Sequence, residues 1–114
     1  MEITGDYKKD FWYIKATGRF DIADIAGIFQ VISESKQPKV LIDCLQLKET
    51  NISYKDRYNL VLLAEELLNK EISYVVIWPK KDINFFWVNN ASKFGLRVNI
   101  FPKVSAGKKW LLKD

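Results

Sequence analysis

Apolar residues recur along this chain with two different periods, and each change of period marks a change of element. Phe11 to Thr17 ("FWYIKAT") reads as a strand. With a short strand over Glu2 to Thr4 and a turn around Gly5 to Asp10, it predicts an opening hairpin. "GRFD" closes that strand, and Ile22, Ile25, Ala26, Phe29 and Ile32 follow at helical spacing to an end near Ser33 to Ser35. Asp21 is the expected N-cap, accepting from the amide of Asp24. Pro38 precedes "KVLIDC", a continuous apolar run of the kind buried on both faces of a central strand.

A long helix starts at about Tyr54, and "SYVVIWP" forms the next buried strand, stopped by Pro79. "DINFFWVNNASKFG" reads as a helix capped by Asp82 and ended by Gly95 in the left-handed position that glycine tolerates. "RVNIF" is a last strand and "SAGKKWLL" a last short helix. Strands alternating with helices predict an α/β fold: a single-layer mixed, mostly parallel sheet of four to five strands with about four helices. The hairpin adds one antiparallel edge. With 114 residues and no internal repeat or linker, residues 1–114 are expected to form one domain.

Helical spacing also predicts faces. Leu60, Leu63, Ala64, Leu67 and Leu68 make a broad apolar stripe to lie on the sheet, whereas Tyr54, Tyr58 and Leu62 fall four apart on another side. Such a ridge either packs on a neighbouring helix or meets a partner. In the following helix Ile83, Trp87, Ala91 and Phe94 line the packing face, leaving Phe85 roughly opposite with Val88 beside it. Phe85 is therefore a candidate for an intersubunit contact in a homodimer.

Composition then removes several kinds of chemistry. The chain contains no histidine, which excludes the usual serine or cysteine triads and the common zinc sites. Its one cysteine, Cys44, falls inside an apolar strand and is expected to be a buried, reduced thiol. No apolar run is long enough for a membrane span, and no signal peptide is evident, so a cytoplasmic protein is expected. The net charge is +4. The lysines come as separate pairs, Lys8/Lys9, Lys80/Lys81 and Lys108/Lys109, and not as one stripe interleaved with aromatics, which argues against nucleic acid as a partner.

The order of these elements and several local phrases resemble the STAS domain (sulfate transporter and anti-sigma-factor antagonist), in its small stand-alone bacterial form. The similarity spans Phe11 to Leu112 and rests on "TGRFD", "VLID", "YVVIWP", "GLRVNIFP" and "AGKKWL". The resemblance implies a non-catalytic regulatory module without a cofactor, whose partner is a protein such as a regulatory kinase or another signalling domain. In phosphorylatable relatives the strand matching "VLID" leads to an Asp-Ser-Ser/Thr-Gly loop. Counting from Asp43 through "LQLKETNISYKD" puts Asn51 at the aspartate, Ile52 at the first hydroxyl, Ser53 at the phosphorylated position and Tyr54 at the glycine. Only the serine is kept, so the phospho-switch is degenerate. Ser53 with Asp56 also fits a capping box, an interaction of about 1 kcal/mol, so it is either a cap alone or a cap that also takes phosphate. A phosphate there would meet the positive end of the helix with Lys55 and Arg57 nearby.

The carboxyl ends of the strands form the expected ligand rim of an open α/β sheet. Here they would present Arg19, Asp21, Asp43, Asn51 and Lys80. No phosphate-binding glycine pattern, metal motif or nucleophile elbow accompanies these residues, so no catalysis is expected. The alternative function is a small-molecule or lipid-binding carrier of the same fold, with a pocket between the third helix and the sheet near Trp78, Phe86 and Trp87.

Overall fold

The computed structural model describes residues 1–35 and 37–113. Its elements run β1 (Glu2–Tyr7), β2 (Trp12–Arg19), α1 (Ile22–Glu34), β3 (Lys39–Lys48), α2 (Tyr54–Leu67), β4 (Ser73–Ile77), a short 3-10 turn (Lys80–Asp82), α3 (Phe86–Lys93), β5 (Arg97–Phe101) and α4 (Val104–Leu111). The five strands lie side by side in chain order. β1 pairs antiparallel with β2, and the remaining pairs are parallel. The expected mixed, mostly parallel sheet with an antiparallel edge is what forms.

Each parallel pair needs a crossover, and α1, α2 and α3 provide them on one face. Their Ile25, Ile28, Phe29, Ile32, Leu60, Val61, Ala64, Trp87, Val88 and Ala91 pack on Ile14, Val40, Ile42, Tyr74, Val98 and Ile100 of the strands. α4 alone covers the other face, where Leu111 joins Phe11, Leu41, Val75 and Ile77. β3 and β4 are thus buried on both sides, which is why their sequences read as unbroken apolar runs. The continuous run also hides which face each residue takes. Parity on β3 decides it: Val40, Ile42 and Cys44 turn to the three-helix side, Leu41 and Asp43 to the α4 side.

Several local expectations change on folding. Asp21 caps α1 by accepting from the amide of Ala23 at 2.9 Å, not from Asp24. Asp82 does not cap α3, because it belongs to the 3-10 turn and its carboxylate is taken by Thr50. Asn84 instead accepts from the amide of Phe86 at 2.7 Å. Val88 is buried beside Trp87, while Phe94 is exposed at the helix end, so the packing face of α3 is rotated from the one expected. Gly95 follows α3 with φ +84°, as its position predicted. Lys8 Nζ lies 5.9 Å from the Tyr13 ring, and Lys108 Nζ 5.7 Å from that of Phe11. No helix among the described residues is long and apolar enough to cross a membrane.

Candidate functional site

The loop Glu49–Ser53, between β3 and α2, is tied down at its middle. Thr50 is buried, and its hydroxyl donates to the Asp82 carboxylate at 2.6 Å. The indole N–H of Trp78 donates to the Thr50 carbonyl at 3.3 Å. Before Thr50, Glu49 sits at φ +61°, a left-handed conformation that costs a non-glycine residue about 1 kcal/mol. Its carboxylate lies 3.4 Å from the Arg19 guanidinium, an exposed ion pair of little energetic weight. The Thr50 contacts therefore do most to hold the turn. Replacing Thr50 by valine keeps its shape and removes the donor to a charged acceptor, with an expected loss of about 1–2 kcal/mol. Amide exchange at residues 49–53 should quicken in that variant, and unchanged exchange there would refute the anchoring role.

Downstream of this anchor the chain exposes Asn51 and Ser53 and enters α2. Ser53 is the N-cap, its Oγ accepting from the Asp56 amide at 3.1 Å. Only this half of the capping box is made among the described residues; no bond returns from the Asp56 carboxylate to the Ser53 amide. The hydroxyl is thus both a cap and open to solvent. Tyr54, where the aligned loop pattern has glycine, is 67% exposed and leans on Phe86 with ring centroids 4.9 Å apart. Tyr58 and Leu62 continue the row at 51% and 43% exposure, and Phe85, next to Phe86, is 56% exposed. The ring contact joins residues of α2 and α3 into one aromatic surface beside Ser53.

The rim residues do not gather into one site. Arg19, Asp21, Asn51 and Lys80 are exposed at the carboxyl ends of their strands, but Arg19 faces Glu49 and Asp21 is occupied as a cap. Asp43 does not reach the rim at all. It is 7% exposed on the α4 side, accepting from the Tyr13 hydroxyl and, at 3.1 Å, from the amide of Leu45. The second bond sits where one extra β3 residue bulges against β2. Burial, then the bonded Asp43 carboxylate, pushes the Tyr13 hydroxyl up to about 12. Strand order equals chain order here, so the sheet has no reversal point of the kind that opens a ligand crevice.

Beneath the anchored loop lies an apolar cavity of about 70 Å³ whose lining includes Phe20, Ile42, Cys44, Trp78, Trp87 and Ile100. Trp78 and Trp87 thus occur where a carrier pocket was expected, while Phe86 is drawn away under Tyr54. Burial, followed by the nearby Asp43 charge, lifts the Cys44 thiol to about 12, so it is protonated and unreactive at neutral pH. The contact between Thr50 and Asp82 is what sequence reading missed. They are 32 positions apart and no local pattern links them.

No protein-family model matches the chain, and no curated protein matches it. Among solved structures, it is similar to an anti-sigma factor antagonist from Mycobacterium paratuberculosis with TM-score 0.71 and 10% identity, over 98% of this chain and 94% of that one. It is also similar to an uncharacterized protein with a SpoIIAA-like fold from Shewanella loihica with TM-score 0.51 and 15% identity, over 96% and 92% of the two chains. At these identities the likeness carries the fold, which is the anti-sigma-factor-antagonist, or STAS-like, architecture that the sequence resemblance implied.

Proposed function

We propose that this chain is one STAS-like domain acting as a non-catalytic regulatory module that recognises a protein partner through the start of α2 and the adjoining start of α3. The observation that carries this reading is the exposed row Tyr54, Tyr58 and Leu62, extended toward Phe85 by the Tyr54–Phe86 contact. Aromatic side chains held on rigid helices are favoured anchors of interfaces, since they bury much area at a small loss of side-chain freedom. The loop that presents them is fixed by Thr50, so the surface exists before a partner arrives. Ser53 lies at its edge, where a phosphate would add charge beside the anchors without dismantling the fold. That is how a degenerate switch would still modulate binding.

Capture of a cytosolic partner on immobilised protein tests this reading. Wild type should retain a specific partner, such as a signalling kinase or other regulatory domain, and Tyr58→Ala/Leu62→Ala should lose at least ten-fold of it, as expected when anchor side chains are truncated. Both substituted side chains are exposed, so thermal unfolding should be nearly unchanged. Equal recovery by both proteins would sink the assignment. A homodimer through the same surface makes a separate prediction: Phe85→Ser should sediment as a monomer under conditions where wild type is a dimer, and a persisting dimer would remove Phe85 from the interface.

The carrier alternative gains less from the structure. A cavity of about 70 Å³ is well below the roughly 150 Å³ that accommodates benzene in an apolar core, and further below ordinary small-molecule sites.

A further inference from the structure

A second concavity, on the opposite flank of the helical layer, runs between the opening hairpin and α1 and encloses about 370 Å³. That volume is in the range of small-molecule sites. Ile3, Ile14, Ile28 and Val31 supply apolar walls. Gly27 keeps the helix side open, because a Cβ there would meet nothing within 4 Å. Glycine inside a helix is less stable than alanine, and packing within the chain does not require it at this position.

The strand side contributes a donor. A Cβ on Gly5 would lie 2.8 Å from Trp12 Nε1, so the bare glycine leaves room for the indole in the groove wall. Trp12 is 7% exposed, with Tyr7 stacked on its ring at 5.1 Å. Its indole N–H is buried without a hydrogen-bond acceptor. A buried donor left unpaired is unfavourable, and an acceptor that reaches it recovers that loss. The charged groups in the groove lining are the Met1 ammonium and Asp24, which neutralise each other at 2.8 Å. Among the described residues, no free charge is left in the lining to hold an ionic headgroup.

We propose that this groove binds a neutral, mainly apolar small molecule carrying one carbonyl oxygen, which accepts from the Trp12 indole N–H while the hydrocarbon part fills the space over Gly27. The site is separate from the α2 surface and uses none of its residues.

Isotope-labelled protein titrated with benzylacetone, and in parallel with butylbenzene, tests the assignment through the indole N–H resonances of the four tryptophans. The Trp12 signal should shift saturably with the ketone, while those of Trp78, Trp87 and Trp110 stay in place. Trp12→Phe should weaken the ketone about five-fold, the size of one net hydrogen bond, and leave the hydrocarbon unchanged. Gly27→Leu starts its side chain in open space at Cβ, directs it toward the groove and favours the helix, so it should fold at least as well and abolish binding of both compounds. A Trp12 resonance unmoved up to the solubility limit, equal binding of ketone and hydrocarbon, or undiminished binding by Gly27→Leu would each overturn the proposal.

Discussion

Replacing Gly107 by valine should lower the folding stability of this protein by about 3 kcal/mol, the upper part of the range for overpacking a closed core. α4 lies against β4 so closely that a Cβ at position 107 would fall well inside contact distance of Ile77 Cδ1 and 3.2 Å from Val75 Cγ2. Both side chains are fully buried, and both are β-branched and stiff at χ1, so they have little room to give way. α4 is the one helix on its face of the sheet, so any outward shift opens the core of Phe11, Leu41, Val75, Ile77 and Leu111. Gly27→Ala is the matched control. Its Cβ meets nothing, and the better helix propensity should raise stability by up to about 1 kcal/mol. Urea unfolding of the two variants should therefore move in opposite directions. A Gly107→Val midpoint equal to wild type would show that α4 does not pack on β4 as described.

Alkali should destabilise the protein progressively above about pH 9. Cys44 has an ordinary value of 9.0 and is held at about 12 in the fold, first by burial and then by the charge of Asp43. Below the lower value both states keep the proton, and stability is unaffected. Between the two, the unfolded chain releases the proton while the folded chain retains it, so the unfolded state binds fewer protons and stability falls as pH rises. At about 1.4 kcal/mol per pH unit, the full interval withdraws about 4 kcal/mol, a large share of the stability of an ordinary domain. Tyr74 and Tyr13, each raised from 10.0 to about 12, steepen the fall over the upper part of that window. Between about pH 8 and about pH 11, Cys44→Ala should lose about 3 kcal/mol less than wild type in urea unfolding. Parallel losses in the two proteins would refute the buried-thiol mechanism. The native thiol should also resist thiol reagents at neutral pH and react only at the rate of unfolding.

The proposed partner surface and the proposed hairpin groove make different demands on the same scaffold. Recognition at α2 would depend on side chains that the fold leaves outside, whereas binding in the groove would depend on side chains that two glycines lack. Substitutions at Tyr58 and Leu62 should leave the Trp12 resonance unperturbed, and Gly27→Leu should leave partner capture intact. The two sites can thus be separated by experiment even if both are used.

Much of this architecture was legible because it rests on neighbours. Asp21 and Ser53 are caps because their side chains reach amides two and three residues on, a relation contained in a single turn. The helix and strand periods likewise identified the elements. For the Tyr54, Tyr58, Leu62 row the spacing left open packing on a neighbouring helix or an exposed ridge, and in the fold all three are exposed while Tyr54 also touches Phe86. Contacts across the fold were hidden for the converse reason. Asp43 stands in a run buried on both faces, where hydropathy carries no parity, and only β3 pairing turned it from the rim toward Tyr13. Asp82 had the spacing of a helix cap, but a hydroxyl 32 residues away claimed its carboxylate and moved the helix start to Phe86. Lys108, close to the C-terminal end in sequence, comes to lie over the Phe11 ring, a contact that exists only because α4 docks on that face. By itself, the sequence determined which segments are helix or strand and which residues cap α1 and α2, because those choices are made among residues within a few positions of one another. Only the tertiary structure decided which buried polar groups meet and where space remains empty, because both depend on how whole elements pack.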